Sequence, residues 1–362
     1  MISDCIPPVQ TWRDPRAMKV LGMGMAVPGP PVTTAELLAR IETRFGMAVS
    51  RRGRVLADRL RIKTRHICRD FSARREGPRP GHSNPDLAAD ALGAALAEAQ
   101  LTVHDLAYLI GHTTSPAYLV PPNIALVADR LGYTGPYMEL RQACTGFANA
   151  LVVAQGLVSA PGARAVAIVG SETGSVYFDP QRAGEDPRQL VNLVQMGDGA
   201  AAVIIAPDDA GPGARISHTF FGQVGLDRPP GLTLSGGGSE QPFVDRDVLE
   251  FAHDCVAVRT SGPQLFEHGA AVARSLGADV HTVDHLIPHQ ANGRMAELLE
   301  PHFALGPGCV FVNADRRGNT GSAAVWLALA ELRSTLAPQA RVLALGAEAT
   351  KYMFGGFLYA HG

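Results

Sequence analysis

The sequence is poor in cysteine. Its 362 residues hold five, Cys5, Cys68, Cys144, Cys255 and Cys309, an odd number, far apart and with no C-x-x-C pair. That excludes a disulfide framework of the small secreted kind and the common zinc spacings, and it points to a reducing compartment with one functional thiol. Charge is also sparse: charged residues make up 18% and the formal net charge is −2. Such a chain has no bulk attraction to nucleic acid or to an anionic membrane surface. No apolar run reaches the ~18 residues of a membrane-spanning helix. The N-terminus, MISDCIPPVQTWRDPRAMKV, has no apolar core of signal-peptide length. The expectation is a cytoplasmic protein with no nucleic-acid partner and no membrane insertion.

What is present is 46% hydrophobic residue, 39 glycines and 26 prolines, enough to bury a large core and to turn the chain tightly and often. This reads as an α/β enzyme of two domains or one duplicated one. Residues 1–17 read as an N-terminal extension, 18–206 as a first half and 207–362 as a second. A strand is expected from Met18, a helix over Thr34 to Phe45 capped by Thr33 or Thr34, a basic stretch over Arg51 to Arg75, a loop over Glu76 to Pro85, a helix over Asp86 to Gln100 and a strand over Leu106 to Gly111.

Two distant segments repeat one order of elements. The first runs Tyr137-Met138-Glu139-Leu140, then Arg-Gln-Ala-Cys144-Thr-Gly, a helix over Phe147 to Val158, a strand at Ala165 to Val169, Gly-Ser-Glu, and finally Gly197-Asp198-Gly199 with the strand Ala200 to Ala206. The second runs Cys309-Val310-Phe311-Val312 as a strand, then Arg317-Gly318-Asn319-Thr-Gly, a helix over Ala323 to Leu336, a strand at Val342 to Leu345, Gly-Ala-Glu, and Gly355-Gly356 with the strand Phe357 to Ala360. Cys144 and Asn319 stand 175 positions apart, and the following strands nearly keep that offset. Any two βαβ units look partly alike, but here the terminal glycine-plus-strand element recurs as well. Halves packed about a pseudo-twofold axis would bring Cys144 and Asn319 together at the centre.

Cys144 closes a strand and opens an apolar helix. The helix dipole and free N–H groups at that end favour a thiolate, the reactive form. The alternative is a small buried hydrophobe. His289, in VDHLIPHQANGRM, ends an apolar strand. Histidines 285 and 289 are spaced i,i+4, but Pro288 lies between them and no third ligand is apparent, so no metal site is expected. Asn319, in DRRGNTGSAAV, is flanked by Gly318 and Gly321 that permit a sharp turn, and an Asn helix cap is the plain alternative.

Together the segments ACTGF, PHQAN and GNTGSAA, in this order, resemble the three active-site motifs of the ketoacyl synthase III family of the thiolase superfamily. GDGAAAV at 197–203 and FGGF at 354–357 extend the match over about residues 18–362. The resemblance implies an α/β thiolase fold of duplicated βαβαβαββ halves, a five-layer αβαβα sandwich, and a homodimer. It implies that Cys144 attacks an acyl thioester, and that His289 and Asn319 bind a malonyl-type thioester and stabilise the enolate formed as carbon dioxide leaves. The oxyanion hole would use the N–H of Cys144 and one near Gly355. Asn292 would contact the pantetheine arm, Arg59 and Arg65 would lie by the phosphopantetheine entrance, and Arg294 would help dock a carrier protein. No cofactor is implied. Acyl donor and extender would ride on coenzyme A or on acyl carrier protein.

The sequence departs from that pattern at four places. Valine stands at Val55, where an aromatic would stack on the adenine of coenzyme A. The helix after PHQAN, MAELLEPH, is poor in basic residues. Val120 stands where a phenylalanine would close the partner's acyl pocket, which suits a longer or bulkier chain. The final loop, GAEATKYMF, brings Lys351 and Tyr352 to the oxyanion glycines without an evident role. These departures tilt the expectation from fatty-acid initiation toward a specialised, polyketide-like pathway. Two other readings compete: an acyltransferase forming an ester or amide from acyl-Cys144 without decarboxylation, and a non-catalytic partner subunit, against which the retained Cys, His and Asn argue.

Overall fold

The computed structural model describes residues 9–69, 71, 78–209, 211–235, 239 and 250–362. Cys5 and parts of the basic stretch and of the loop that follows it lie outside the described residues. The first half contributes strands β1 (Thr11–Asp14), β2 (Met18–Ala26), β3 (Val32–Thr33), β4 (Thr64–Arg65), β5 (Leu106–His112), β6 (Tyr137–Leu140), β7 (Ala165–Glu172) and β8 (Gly199–Pro207). Its helices are α1 (Thr34–Phe45), α2 (Ser50–Leu60), α3 (Asn84–Ala99), α4 (Asn123–Leu131), α5 (Gly146–Val158), α6 (Pro180–Glu185) and α7 (Pro187–Gln195). The second half contributes β9 (Arg215–Gln223), β10 (Leu232–Ser235), β11 (Glu250–His253), β12 (His285–Pro288), β13 (Arg341–Glu348) and β14 (Met353–Ala360), with α8 (Cys255–Ser275), α9 (Met295–His302), α10 (Ala314–Arg317) and α11 (Ala324–Leu332).

The strand order shows the duplication directly. From the centre outward the first half runs β2-β8-β7-β5-β6 and the second runs β9-β14-β13-β12, joined through β2 and β9. An isolated parallel bridge from Leu286 to Val310 completes the second series. Each half has two antiparallel pairings followed by two parallel ones.

Side-chain alternation sorts the core into layers. On β8, Ala201, Val203 and Ile205 face a central core, and Ala200, Ala202 and Ile204 face an outer one with α3 and α4. On β13, Val342 and Ala344 face the same central core, and Leu343 and Leu345 face an outer one with α8 and α9. The central core holds α5 and α11. Both helices are sandwiched between sheets, so α11 (AVWLALAEL) is apolar nearly all round. The result is the five-layer αβαβα sandwich of the thiolase fold. Trp326 of α11 stacks on Phe357 at 5.4 Å and meets Phe147 of α5 edge-on at 6.0 Å, tying both central helices to β14.

Two local expectations change. Residues 11–14, read as part of an extension, form β1, which pairs with Thr219 to Gly222 on β9. Cys309 to Val312 forms no strand. Gly308 turns the chain at φ +84° just before it and α10 follows just after, leaving length for one bridge only.

Candidate active site

Cys144 sits, partly exposed, between Leu140 at the end of β6 and Gly146 at the start of α5. The turn is held from the other half of the molecule. Glu348, the last residue of β13, accepts from Thr145 N at 2.9 Å and from Thr145 Oγ1 at 2.7 Å, with Ala143 N at 3.4 Å. Gln142 Nε2 donates to Thr145 Oγ1 at 2.8 Å. Glycine is required at 146, because a Cβ there would come within 2.6 Å of His112 Nδ1. His112 is itself buried, and burial pushes its pKa down to about 3. It accepts a bond from Trp326 Nε1 at 3.2 Å.

Asn319 occupies the equivalent place before α11. Its backbone bridges to the first half, with N donating to Gln195 O at 2.7 Å and O accepting from Gly197 N at 3.0 Å. Its Oδ1 accepts from Gly321 N at 3.0 Å, which leaves the amide N–H groups as its outward donors. The mirror image of the Glu348 contact is Glu172, the last residue of β7. It accepts from Ser322 N at 3.1 Å and from Ser322 Oγ at 2.9 Å, and on its own half from Thr114 Oγ1 at 2.9 Å and from Ser115 Oγ. Ser322 Oγ also reaches Gln142 O at 3.2 Å, joining the two turns.

His289 follows β12, with its N–H on Leu345 O at 2.8 Å, three residues before Glu348. Its side chain is 5% exposed, and Nδ1 is buried without a hydrogen-bond partner. Burial pushes its pKa down to about 4, so the imidazole is neutral at physiological pH. Cys144 thus follows β6 and His289 follows β12, while the Thr145–Glu348 and Ser322–Gln142 bonds join the turns of Cys144 and Asn319.

Several expectations meet a different environment. The helix start does not favour a thiolate at Cys144: burial first, then Glu348 and Glu172, push the thiol well above its usual value. The carboxylate of Glu348 answers the partial positive charge that a helix N-terminus would offer the sulfur. Gly355 lies inside β14, paired to Gly346 on one side and Phe221 on the other, so its N–H belongs to the ladder. What glycine permits there is the approach of α5, since a Cβ would come within 2.5 Å of Ala148 Cβ. Arg65 is not on the surface: it is 0% exposed, with Nη1 on Thr34 Oγ1 at 2.9 Å and Nη2 on Val194 O at 2.5 Å. Desolvation lowers its pKa to about 10.

Arg59 is exposed on α2. Arg294 pairs with Glu297 at 3.1 Å, and Asn292 Oδ1 accepts from Arg294 N at 2.9 Å. Val120 is 84% exposed beside Tyr118 and Leu119. Lys351 and Tyr352 acquire a place: Lys351 Nζ donates to Arg228 O, and the Arg228 guanidinium lies 3.6 Å over the Tyr352 ring. Glu172 and Glu348 were not singled out from sequence, although the duplicated Gly-x-Glu closing each strand was their signal.

Two corresponding turns, one bearing a thiol and one an amide, each held by a glutamate from the other half of a duplicated α/β sandwich, with a neutral histidine after β12, are features of the thiolase-fold condensing enzymes. Within that class the chain belongs to the 3-oxoacyl-[acyl-carrier-protein] synthase III family, whose members are acyltransferases. The family's model matches residues 138–225 and its C-terminal model residues 274–357. The beta-ketoacyl-[acyl-carrier-protein] synthase III of Nitratidesulfovibrio vulgaris (strain DP4) is 31% identical over 339 residues, covering 89% of this chain and 92% of that protein. Among solved structures, the tetronic acid condensing enzyme AbyA1 matches with TM-score 0.83 at 30% identity, covering 95% of this chain and 100% of that one. 3-Oxoacyl-(acyl carrier protein) synthase III, FabH, of Pseudomonas aeruginosa PAO1 matches with TM-score 0.76 at 26% identity, covering 96% and 98%. Among the described residues, no helix is long and apolar enough to cross a membrane.

Proposed function

We propose that the chain catalyses a decarboxylative carbon–carbon condensation. Cys144 Sγ attacks the carbonyl carbon of an acyl thioester, expels the thiol of coenzyme A or carrier phosphopantetheine, and holds the acyl group. The thiol proton leaves with that departing sulfur. His289 and Asn319 then donate N–H bonds to the carbonyl oxygen of a malonyl-type thioester. Carbon dioxide departs, and the electron pair of the broken C–C bond becomes the enolate that these donors stabilise. The enolate carbon attacks the acyl carbonyl and releases Cys144 and a β-ketoacyl thioester.

The observation that carries this reading is the matched pair of turns, with a nucleophile on one and an amide on the other. The lowered basicity of His289 supports it, because so weak a base donates its N–H without drawing the proton from the thiol. The exposed Arg51, Arg52, Arg54 and Arg59 of α2 suit an acidic carrier protein, and the loop after His289 packs on the end of this helix, with Gly293 N on Leu60 O at 2.9 Å. Among the described residues strand β6 is paired on one side only, and with the apolar 118–120 loop it suits a homodimer interface.

Intact-protein mass spectrometry after incubation with acyl coenzyme A and acyl carrier protein panels tests the first step. A mass gain that disappears in Cys144→Ala is the expected result, and a wild type unlabelled across a broad panel would sink the acyl-enzyme. A second reading is an acyltransferase that forms an ester or amide from acyl-Cys144 without decarboxylation, and the match to AbyA1, a tetronic acid condensing enzyme, favours keeping it. Product formed without carbon dioxide release would favour it.

A further inference from the structure

The two buried glutamates have no part in the steps above, yet each spans the boundary between halves in the same way. Glu348, at the end of β13 in the second half, grips the residue after Cys144 in the first. Glu172, at the end of β7 in the first half, grips Ser322, three residues after Asn319 in the second. Both are 1% exposed. The fit is close on both sides. Gly321, at φ +48°, would drive a Cβ to within 2.5 Å of Glu172 Oε2. Thr350 adds a further donor to Glu348 from the β13–β14 turn. A carboxylate taken out of water at this cost needs all its acceptor sites filled, and here helix-entry N–H groups and hydroxyls fill them.

The geometry points to Glu348 and Glu172 as crossed positioning residues: Glu348 fixes the nucleophile's turn, Glu172 fixes the turn of Asn319, and each therefore governs a different half-reaction. The assignment of half-reactions rests on the proposed function. The crossed hold itself does not. Neither glutamate touches the reacting atoms. Beyond the charge that both present to the thiol, each acts through the turn it holds, and misplacing a reacting group by a fraction of an ångström is enough to slow a step.

The test uses the full chain with Glu348→Gln, Glu348→Ala, Glu172→Ala and Thr145→Val. Alkylation of Cys144 by iodoacetamide, followed across pH by peptide mass spectrometry, needs no substrate. Glu348→Gln removes a negative charge while keeping an acceptor, so its alkylation midpoint is expected to fall by about one pH unit. An unmoved or raised midpoint overturns the role. In the half-reactions, Glu348→Ala should slow acylation of Cys144 by at least about 10-fold and leave carbon dioxide release from a malonyl thioester within about 3-fold, and Glu172→Ala should do the reverse. Both rates falling together in each variant, or neither falling, overturns it. Thr145→Val deletes one bond to Glu348 without touching the buried charge. It should slow acylation with no fall in the midpoint, and wild-type acylation in this variant counts against the proposal should the glutamate variants fail to fold. A wild type that takes no acyl group and releases no carbon dioxide defeats the proposed function, and the alkylation profile still decides the hold on Cys144.

Discussion

The turn opening α5 and the turn opening α11 share a frame, Cys144-Thr145-Gly146 and Asn319-Thr320-Gly321, with both threonines buried and both glycines in forced contacts. They differ in what lies beneath. Under Gly146 is the neutral ring of His112, and the carboxylate of Glu348 reaches the turn at Thr145. Under Gly321 is Glu172 itself. A thiol feels buried negative charge, because its reactive form is an anion, and Glu348 and Glu172 both hold its proton on. An amide does not, because it never ionises. Duplication has made two corresponding places, and the side chain that each turn presents determines which chemistry it can carry.

The comparison breaks most sharply at the two residues that differ. Cys144→Ala should abolish the acyl-enzyme and lower condensation on the order of 10⁴-fold or more, measured as product per enzyme. Asn319→Ala should lower carbon dioxide release by about 100- to 1000-fold while labelling of Cys144 persists. Equal loss of labelling in both variants would mean that the turns do not divide the labour.

Much of this was legible in the sequence, for physical reasons. The repeated order of strand, turn, helix and strand follows from hydrophobic periodicity, and both halves do share one strand order and one pattern of pairing. Cys144 and Asn319 could be matched because glycine and threonine mark both turns. Burial was the part not legible. Arg65 reads as one more cation in DRLRIKTRHI, and only tertiary packing shows that it bonds Val194 O in the interior. Gly355 reads as a free donor until β14 is seen to have a strand on either side. A helix start suggests a thiolate until Glu348, 204 positions away from Cys144, is found on the same turn.

The histidines beneath and beside the turns give a pH signature. His112 and His289 are held neutral by burial, with pKa pushed down to about 3 and about 4. In the unfolded chain both would take up a proton near pH 6.5. The unfolded state therefore binds more protons below that point, and stability present at neutral pH is lost as pH falls from about 6.5 toward about 4. Each histidine steepens the loss by up to about 1.4 kcal/mol per pH unit. Denaturant midpoints across this window should fall more gently in His112→Asn, which keeps an acceptor for Trp326. A slope equal to wild type would place the proton uptake elsewhere.

The smallest expected effect separates the two turns through their supports. The β13–β14 turn beside Glu348 is latched by a guanidinium: Arg228 lies over the Tyr352 ring and donates to Ser261 Oγ at 2.5 Å. Tyr352 is 2% exposed and takes φ +59°, a backbone angle that a non-glycine residue adopts only when its surroundings hold it there. Arg228→Ala removes the stacking and the hydroxyl bond but leaves the carbonyl that receives Lys351, so the loss of stability should be about 1–2 kcal/mol, read from chemical denaturation. Because the latch bears on Glu348 and not on Glu172, acylation of Cys144 should slow by a few-fold at most while carbon dioxide release stays at the wild-type rate. A fall in carbon dioxide release alone would show that the latch serves the Asn319 turn, and that the two supports are not independent.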